Sequence, residues 1–181
     1  QYLSLLGKTL TRVRKGSGIH KQSLSESSYT AWTKFYRQDE NAPNAIVSYY
    51  AKGSLAALGL DLKIRLQTDG KVSLDHVMKE LWNRFGAKGV GVPENGIEEL
   101  ASELSGLNLR GWFQQNVEGT GEIALQKDLL QFGIQLQRRP ALSSKETGGT
   151  SPSSSKRERL SLGVSFGKSP SGAKICLLYT S

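Results

Sequence analysis

AWTKFYRQDENAPNAIVSYYAKGSLAALGLDLKIR, residues 31–65, is the stretch that decides the fold. It opens with aromatics at Trp32, Phe35 and Tyr36 and breaks at a polar loop, residues 38–44, that contains Pro43. It then enters a long apolar segment led by Tyr49 and Tyr50, just ahead of Lys52-Gly53. Val47, Tyr50, Ala51, Ser54, Leu55, Leu58 and Leu62 fall on one stripe, so the spacing predicts a helix over 46–62. Gly53, Ala56 and Ala57 permit close helix contact, and Lys63 and Arg65 suit the negative end of its dipole. Phenols at the mouth of a helix, behind a Pro-broken loop, face either a core or a cleft.

Toward the N-terminus the same periodicity recurs. Leu3, Leu6, Leu10 and Val13 mark a first helix that ends near Gly16-Ser17-Gly18. Residues 19–24 read as an exposed connector. Residues 25–37 read as one helix burying an aromatic face, with Trp32 and Phe35 expected in the core. Toward the C-terminus, Thr68-Asp69-Gly70 signals a turn. Ser73 caps a helix carrying Leu74, Val77, Met78, Leu81, Trp82 and Phe85, with Gly86 as its stop. Further helices follow on Ile97, Leu100, Ala101 and Leu104, then on Leu109, Trp112 and Phe113, then on Leu125, Leu129, Leu130 and Phe132. Residues 134–137 alternate like a strand.

The pattern predicts a mainly α protein of six or seven helices over residues 1–139. Residues 140–159 are rich in Ser, Thr, Gly and charge and read as a flexible linker. LSLGVSFG and AKICLLY, within 160–181, read as two strands opening a β module that then stops. The end of the chain reads as an interrupted one.

The 181 residues carry 24 Lys and Arg against 16 Asp and Glu, a net charge of +8. That balance suits either an anionic partner or solvated basic faces and a basic linker. No nucleic-acid-binding motif accompanies it, so no nucleic acid is expected. No apolar run of about 18 residues predicts a membrane span. The compartment is left open, because the one cysteine, Cys176, cannot form an internal disulfide.

Residues 32–53, WTKFYRQDENAPNAIVSYYAKG, closely resemble the glycyl aminopeptidase family of gluzincin peptidases. The resemblance covers about residues 1–140 and, more weakly, the start of a PDZ domain after Leu160. It implies the helical C-terminal lobe of a thermolysin-like catalytic domain (1–139), a linker (140–159) and a truncated PDZ-like module (160–181). It also implies hydrolysis of N-terminal Gly- or Ala-like residues from peptides, zinc as the cofactor of the full-length enzyme, and a peptide ligand for the PDZ domain. The zinc motif H-E-x-x-H puts two ligands one turn apart with a general base between them. Neither His20 nor His76 begins such a motif. The ligands are expected upstream, and none in this chain.

Related enzymes place an oxyanion-stabilising tyrosine two residues before Lys-Gly. Tyr50, in Tyr50-Ala51-Lys52-Gly53, occupies that position, with Tyr49 as the fallback. Asp39, Glu40 and Asn41 either offer carboxylates to a substrate amine or a cation, or form a solvated loop with Asn44 as a helix N-cap. Arg37, Asp39 and Glu40 are the candidate substrate-binding residues. His76 and Glu80, four apart, face either a metal or solvent. The competing expectation is a non-catalytic helical scaffold with a C-terminal peptide-binding module.

Overall fold

The computed structural model describes residues 1–141, 146–150, 164–169 and 172–178. They form two compact units. Gln1–Leu55, Glu118–Glu122 and Gln137–Ser181 make the first, and Ala56–Val117 with Ile123–Leu136 the second.

In the first unit, α1 (Tyr2–Arg14) buries Leu10 and Val13 and carries Arg12 and Arg14 in its last turn, where cations stabilise the helix dipole. A 3₁₀ turn, Ser17–His20, follows. The connector expected to be exposed is instead enclosed, with Ile19, Gln22 and Ser23 buried. Gly18 explains the close fit. A Cβ there would lie 2.0 Å from the carbonyl oxygen of Ile46, closer than any side chain tolerates.

The single helix expected over 25–37 breaks in two. Helix α2 (Leu24–Tyr29) starts at Ser23, whose Oγ accepts the Glu26 N–H at 3.0 Å. It stops at Thr30, whose hydroxyl and N–H both donate to the Glu26 carbonyl, at 2.7 and 2.9 Å. Such back-bonding bends helices. The next five residues, Ala31–Phe35, wind as a wider π-turn. This turns the aromatic run outward: Trp32, expected in the core, is 79% exposed, and Phe35 is half-buried.

Asn41 occupies the N-cap position of the short α3 (Ala42–Ala45); Asn44, expected to cap the helix over 46–62, lies inside α3, and its buried Oδ1 has no hydrogen-bond partner. Helix α4 (Tyr49–Gln67) begins three residues later than expected. Two buried polar side chains hold the chain extended ahead of it. The Val47 N–H donates to Gln22 Oε1 at 3.0 Å, and the Val47 carbonyl accepts the Ser27 hydroxyl at 2.6 Å. Ser48 Oγ then accepts the Ala51 N–H at 3.3 Å and caps the helix head.

The predicted single stripe on α4 is not seen. Ala51, Lys52, Leu55, Ala56, Leu60, Leu62 and Ile64 are all buried. The division between the units falls within this helix, between Leu55 and Ala56.

Residues 118–122 are tied into the first unit by four bonds. The Gly121 N–H donates to the Ile19 carbonyl at 2.7 Å. Glu122 Oε2 accepts from Arg14 and from Arg138, each at 2.8 Å. Lys52 Nζ reaches the Gly119 carbonyl at 3.4 Å.

The second unit has a contiguous core. Leu60 and Ile64 pack with Val77 and Leu81 of α5 (Leu74–Arg84), Leu100 and Ala101 of α6 (Gly96–Ser105), and Leu109. Each fully buried aliphatic side chain contributes about 1.5–3 kcal/mol relative to exposure. Helix α5 starts as predicted at Ser73. His76 Nδ1 accepts the Ser73 N–H at 3.1 Å, and Asp61 Oδ1 accepts the Leu74 N–H at 2.8 Å. Helix α6 ends on Gly106 at φ +70°, where glycine avoids the strain other residues meet. The short α7 (Arg110–Phe113) runs into a π-turn, Gln114–Glu118. Helix α8 (Gln126–Gln131) completes the unit. Residues 134–137, expected as a strand, are irregular.

The fold class needs one correction. The protein is mainly helical as predicted, but the PDZ-like β module is not found. The described residues after 141 hold one antiparallel two-stranded ribbon, β1 (Val164–Ser169) with β2 (Gly172–Leu178), bulged between Ser165 and Phe166. Among the described residues no third strand joins it. Two strands alone do not make a β domain. Most of the predicted linker 140–159 lies outside the described residues, as do residues 179–181 of the predicted module.

Candidate functional site

Three tyrosine hydroxyls converge in the first unit. Tyr36, the residue after the π-turn, places its Oη 3.0 Å from Tyr49 Oη and 2.9 Å from Tyr50 Oη. The π-turn presents the ring of Tyr36, and the first turn of α4 presents the other two. Single π-turns recur at functional sites because the extra residue re-aims a side chain.

The rings brace one another. Tyr49 and Tyr50 stack tilted, with centroids 4.2 Å apart. Phe35 meets Tyr36, Tyr49 and Tyr50 edge-on at 5.5, 5.2 and 6.0 Å. Trp32 covers Tyr36 at 5.2 Å. Aromatic pairs of this geometry contribute about 0.5–1.5 kcal/mol beyond burial. The cluster nonetheless opens to solvent, with Tyr50 62% exposed.

The hydroxyls shift one another's ionisation. Hydrogen bonds from Tyr36 first, then Tyr49, hold the Tyr50 phenol below its ordinary value of 10. The same bonds, Tyr36 first and Tyr50 second, push Tyr49 well above it. The hydrogen bonds thus set the two phenols apart, although in each bond either oxygen can donate.

Beneath the cluster lies Lys52, with 0% of its surface exposed. Burial lowers its pKa from the ordinary lysine value. The Gly119 carbonyl at 3.4 Å is its hydrogen-bond partner. Tyr50 and Lys52 are two apart on one helix, so they project to different sides. One meets solvent while the other is enclosed.

The candidate substrate-binding residues sit on the segment between the π-turn and α3. Arg37, Asp39 and Glu40 are exposed there. The Asp39 carboxylate accepts the Asn41 N–H at 3.0 Å. Reading the sequence alone misses four residues. Gln22, Ser27 and Lys52 are polar residues within the core, and nothing in their spacing marks them as buried. Tyr36 is placed on a packed helix face instead of at the hydroxyl cluster. Three tyrosines within fifteen residues were the available signal.

No Gly-x-Ser-x-Gly string is expected from the sequence reading, and that is wrong: Gly163-Val164-Ser165-Phe166-Gly167 has nucleophile-elbow spacing. Ser165 lies inside β1, not on the strand-to-helix turn that role requires.

Residues 1–56 match the model of the M61 glycyl aminopeptidase family. An aminopeptidase N family protein from Idiomarina loihiensis, known from its crystal structure, is 39% identical, with a TM-score of 0.86. The match covers 98% of this chain and 30% of that one. Both findings support a likeness to the M61 glycyl aminopeptidase family. The family-matched residues include the whole tyrosine cluster together with Lys52. Curated proteins yield no match. The chain spans about a third of the length of its aminopeptidase N family relative.

The likeness to aminopeptidases raises the question of zinc. His76 is engaged by Ser73, and Glu80 by Asn83 and Arg84. Among the described residues no three His, Cys, Asp or Glu side chains are grouped to hold an ion. The described residues therefore do not fit a zinc centre, and no step through zinc is derived from them. Among the described residues no helix is long and apolar enough to cross a membrane.

Proposed function

We propose that this chain supplies the oxyanion-stabilising phenol of an aminopeptidase, and that Tyr50 is that phenol. The observation that carries this is a Tyr50 hydroxyl held from behind by Tyr36 at 2.9 Å, on a side chain that is 62% exposed. Attack on a peptide carbonyl puts negative charge on its oxygen. A fixed donor facing that oxygen stabilises the transition state more than the ground state. An acidified phenol is a stronger donor, and the surrounding rings limit its rotation.

The likeness to the glycyl aminopeptidase family supports a substrate class. It is a peptide with a free N-terminus and a small first residue, glycine or alanine. Arg37, Asp39 and Glu40, exposed on the preceding segment, are candidates to meet its termini, with a carboxylate toward the amine. Tyr49 is the alternative donor, disfavoured because its proton is used within the cluster. The zinc that this chemistry uses in related enzymes would come from residues other than those described.

The test joins residues 1–181 to a segment carrying H-E-x-x-H and a further glutamate, and follows release of N-terminal glycine. Tyr50→Phe should lower kcat by on the order of a hundredfold, about 3 kcal/mol, with little change in KM. An unchanged kcat removes Tyr50 from the reaction.

A further inference from the structure

We propose that Tyr36 is the positioning residue of this site: its hydroxyl donates to Tyr50 and accepts from Tyr49, so that the Tyr50 proton is left to point outward. This inference rests on the proposed role of Tyr50, but its first test does not.

Proton counting supplies the core of it. Tyr36 has one hydroxyl hydrogen and two hydroxyl neighbours, at 3.0 and 2.9 Å. Tyr36 can donate only one of these bonds and accepts at least one. If it accepted both, the Tyr50 phenol would ionise above its ordinary value, an outcome the titration below would register against the proposal; two relay orders remain. In one, Tyr49 donates to Tyr36, and Tyr36 donates to Tyr50. In the other, every arrow reverses and the free hydrogen belongs to Tyr49. Exposure separates them. Tyr50 is 62% exposed, so its free hydrogen finds water or a substrate oxygen. Tyr49 is half-buried, stacked at 4.2 Å on Tyr50 and edge-on to Phe35, and a free hydrogen there has less access to an acceptor. The first order also strengthens the outward donor, because hydroxyls in a chain polarise one another.

Three of the charged neighbours are engaged elsewhere. Lys34, on the π-turn, pairs with Glu26 of α2 at 2.9 Å. Lys52, on α4, is turned to the Gly119 carbonyl. Asp39, on the following segment, accepts the Asn41 N–H. The shifts at Tyr49 and Tyr50 arise from the tyrosines and from burial alone.

The proton order has a mechanical counterpart. Tyr36 occupies this position because Thr30 breaks the helix and the π-turn re-aims the side chain of the next residue. The break in the predicted helix is thus what builds the relay.

The experiment is a ¹³Cζ-tyrosine NMR titration of the 181-residue chain. In the wild type, Tyr50 should ionise before the ordinary value near 10 and Tyr49 after it. The reverse order of the two overturns the proposal, and that measurement needs no variant. Tyr36→Phe keeps the ring packing and deletes the relay. It should bring both tyrosines back toward about 10. A Tyr50 that stays acidified in folded Tyr36→Phe overturns the relay and leaves Tyr36 only a packing role. In the zinc-complemented polypeptide, Tyr36→Phe should lower kcat about tenfold with KM held. The titration passing while Tyr50→Phe leaves kcat unchanged would sink the catalytic role and spare the relay.

Discussion

Lys52→Met tests whether the structure places an amine in the core with little compensation. The Nζ group is fully enclosed, and its one hydrogen bond, to Gly119, is 3.4 Å long. Methionine matches the lysine stem in length and removes the amine. Exchanging buried charge for an apolar side chain of similar volume stabilises by about 1–4 kcal/mol. Losing a hydrogen bond near the distance limit costs about 0.5–1 kcal/mol. The net expectation is a gain of about 1–3 kcal/mol near pH 6. For a chain of this size each kcal/mol raises Tm by about 2–4 °C.

The gain must depend on pH in one direction. Burial holds the folded-state pKa of Lys52 below the ordinary value. Below that folded pKa both states are protonated, and the folded chain carries the full penalty. From the folded pKa up to the unfolded value near 10.4, the unfolded chain binds more protons, so wild-type stability rises with pH. The advantage of Lys52→Met is therefore largest at low pH and fades toward about pH 10.4. Urea denaturation of both chains at several pH values, followed by circular dichroism, measures it. A Lys52→Met chain less stable than the wild type at pH 6 would refute the reasoning, as would an advantage that grows with pH.

Two further predictions concern the elements that aim α4. Ser27→Ala leaves the buried Val47 carbonyl without its 2.6 Å donor and should cost about 1–3 kcal/mol in chemical denaturation; a loss under a few tenths would mean that the bond does not hold the chain. Two glycines should respond oppositely. Gly18→Ala drives a methyl into the Ile46 backbone at 2.0 Å and should cost about 3 kcal/mol or more, whereas Gly53→Ala meets only Leu24 Cδ1 at 3.7 Å and should stabilise α4 by about 0.5–1 kcal/mol. Thermal melts of the two variants compare them directly, and equal costs would contradict this packing.

The candidate site was half legible before the structure. Tyr50 stood out because Tyr-x-Lys-Gly is a specific string at the head of an apolar run. Tyr36 did not, because its 3–4 spacing with Trp32 mimics a packed helix face. That spacing fails at Thr30, where a single hydroxyl competes for a backbone carbonyl. Lys52 was hidden for the opposite reason, since a lysine ordinarily signals solvent and here it is enclosed.

What residues 1–181 determined by themselves is local. Helix existence followed from 3.6-residue periodicity, and helix stops followed from glycines such as Gly106 that relieve left-handed strain. The family resemblance followed from one dense string. What only tertiary structure decided is non-local. Gln22 and Ser27 meet Val47 across twenty residues or more, and that contact delays α4 to Tyr49. The hydroxyl of Tyr36 meets Tyr49 and Tyr50 across thirteen and fourteen. Periodicity records which face of an element is apolar, and it carries no term for a hydrogen bond between elements, so a site made of such bonds appears only when the chain is folded.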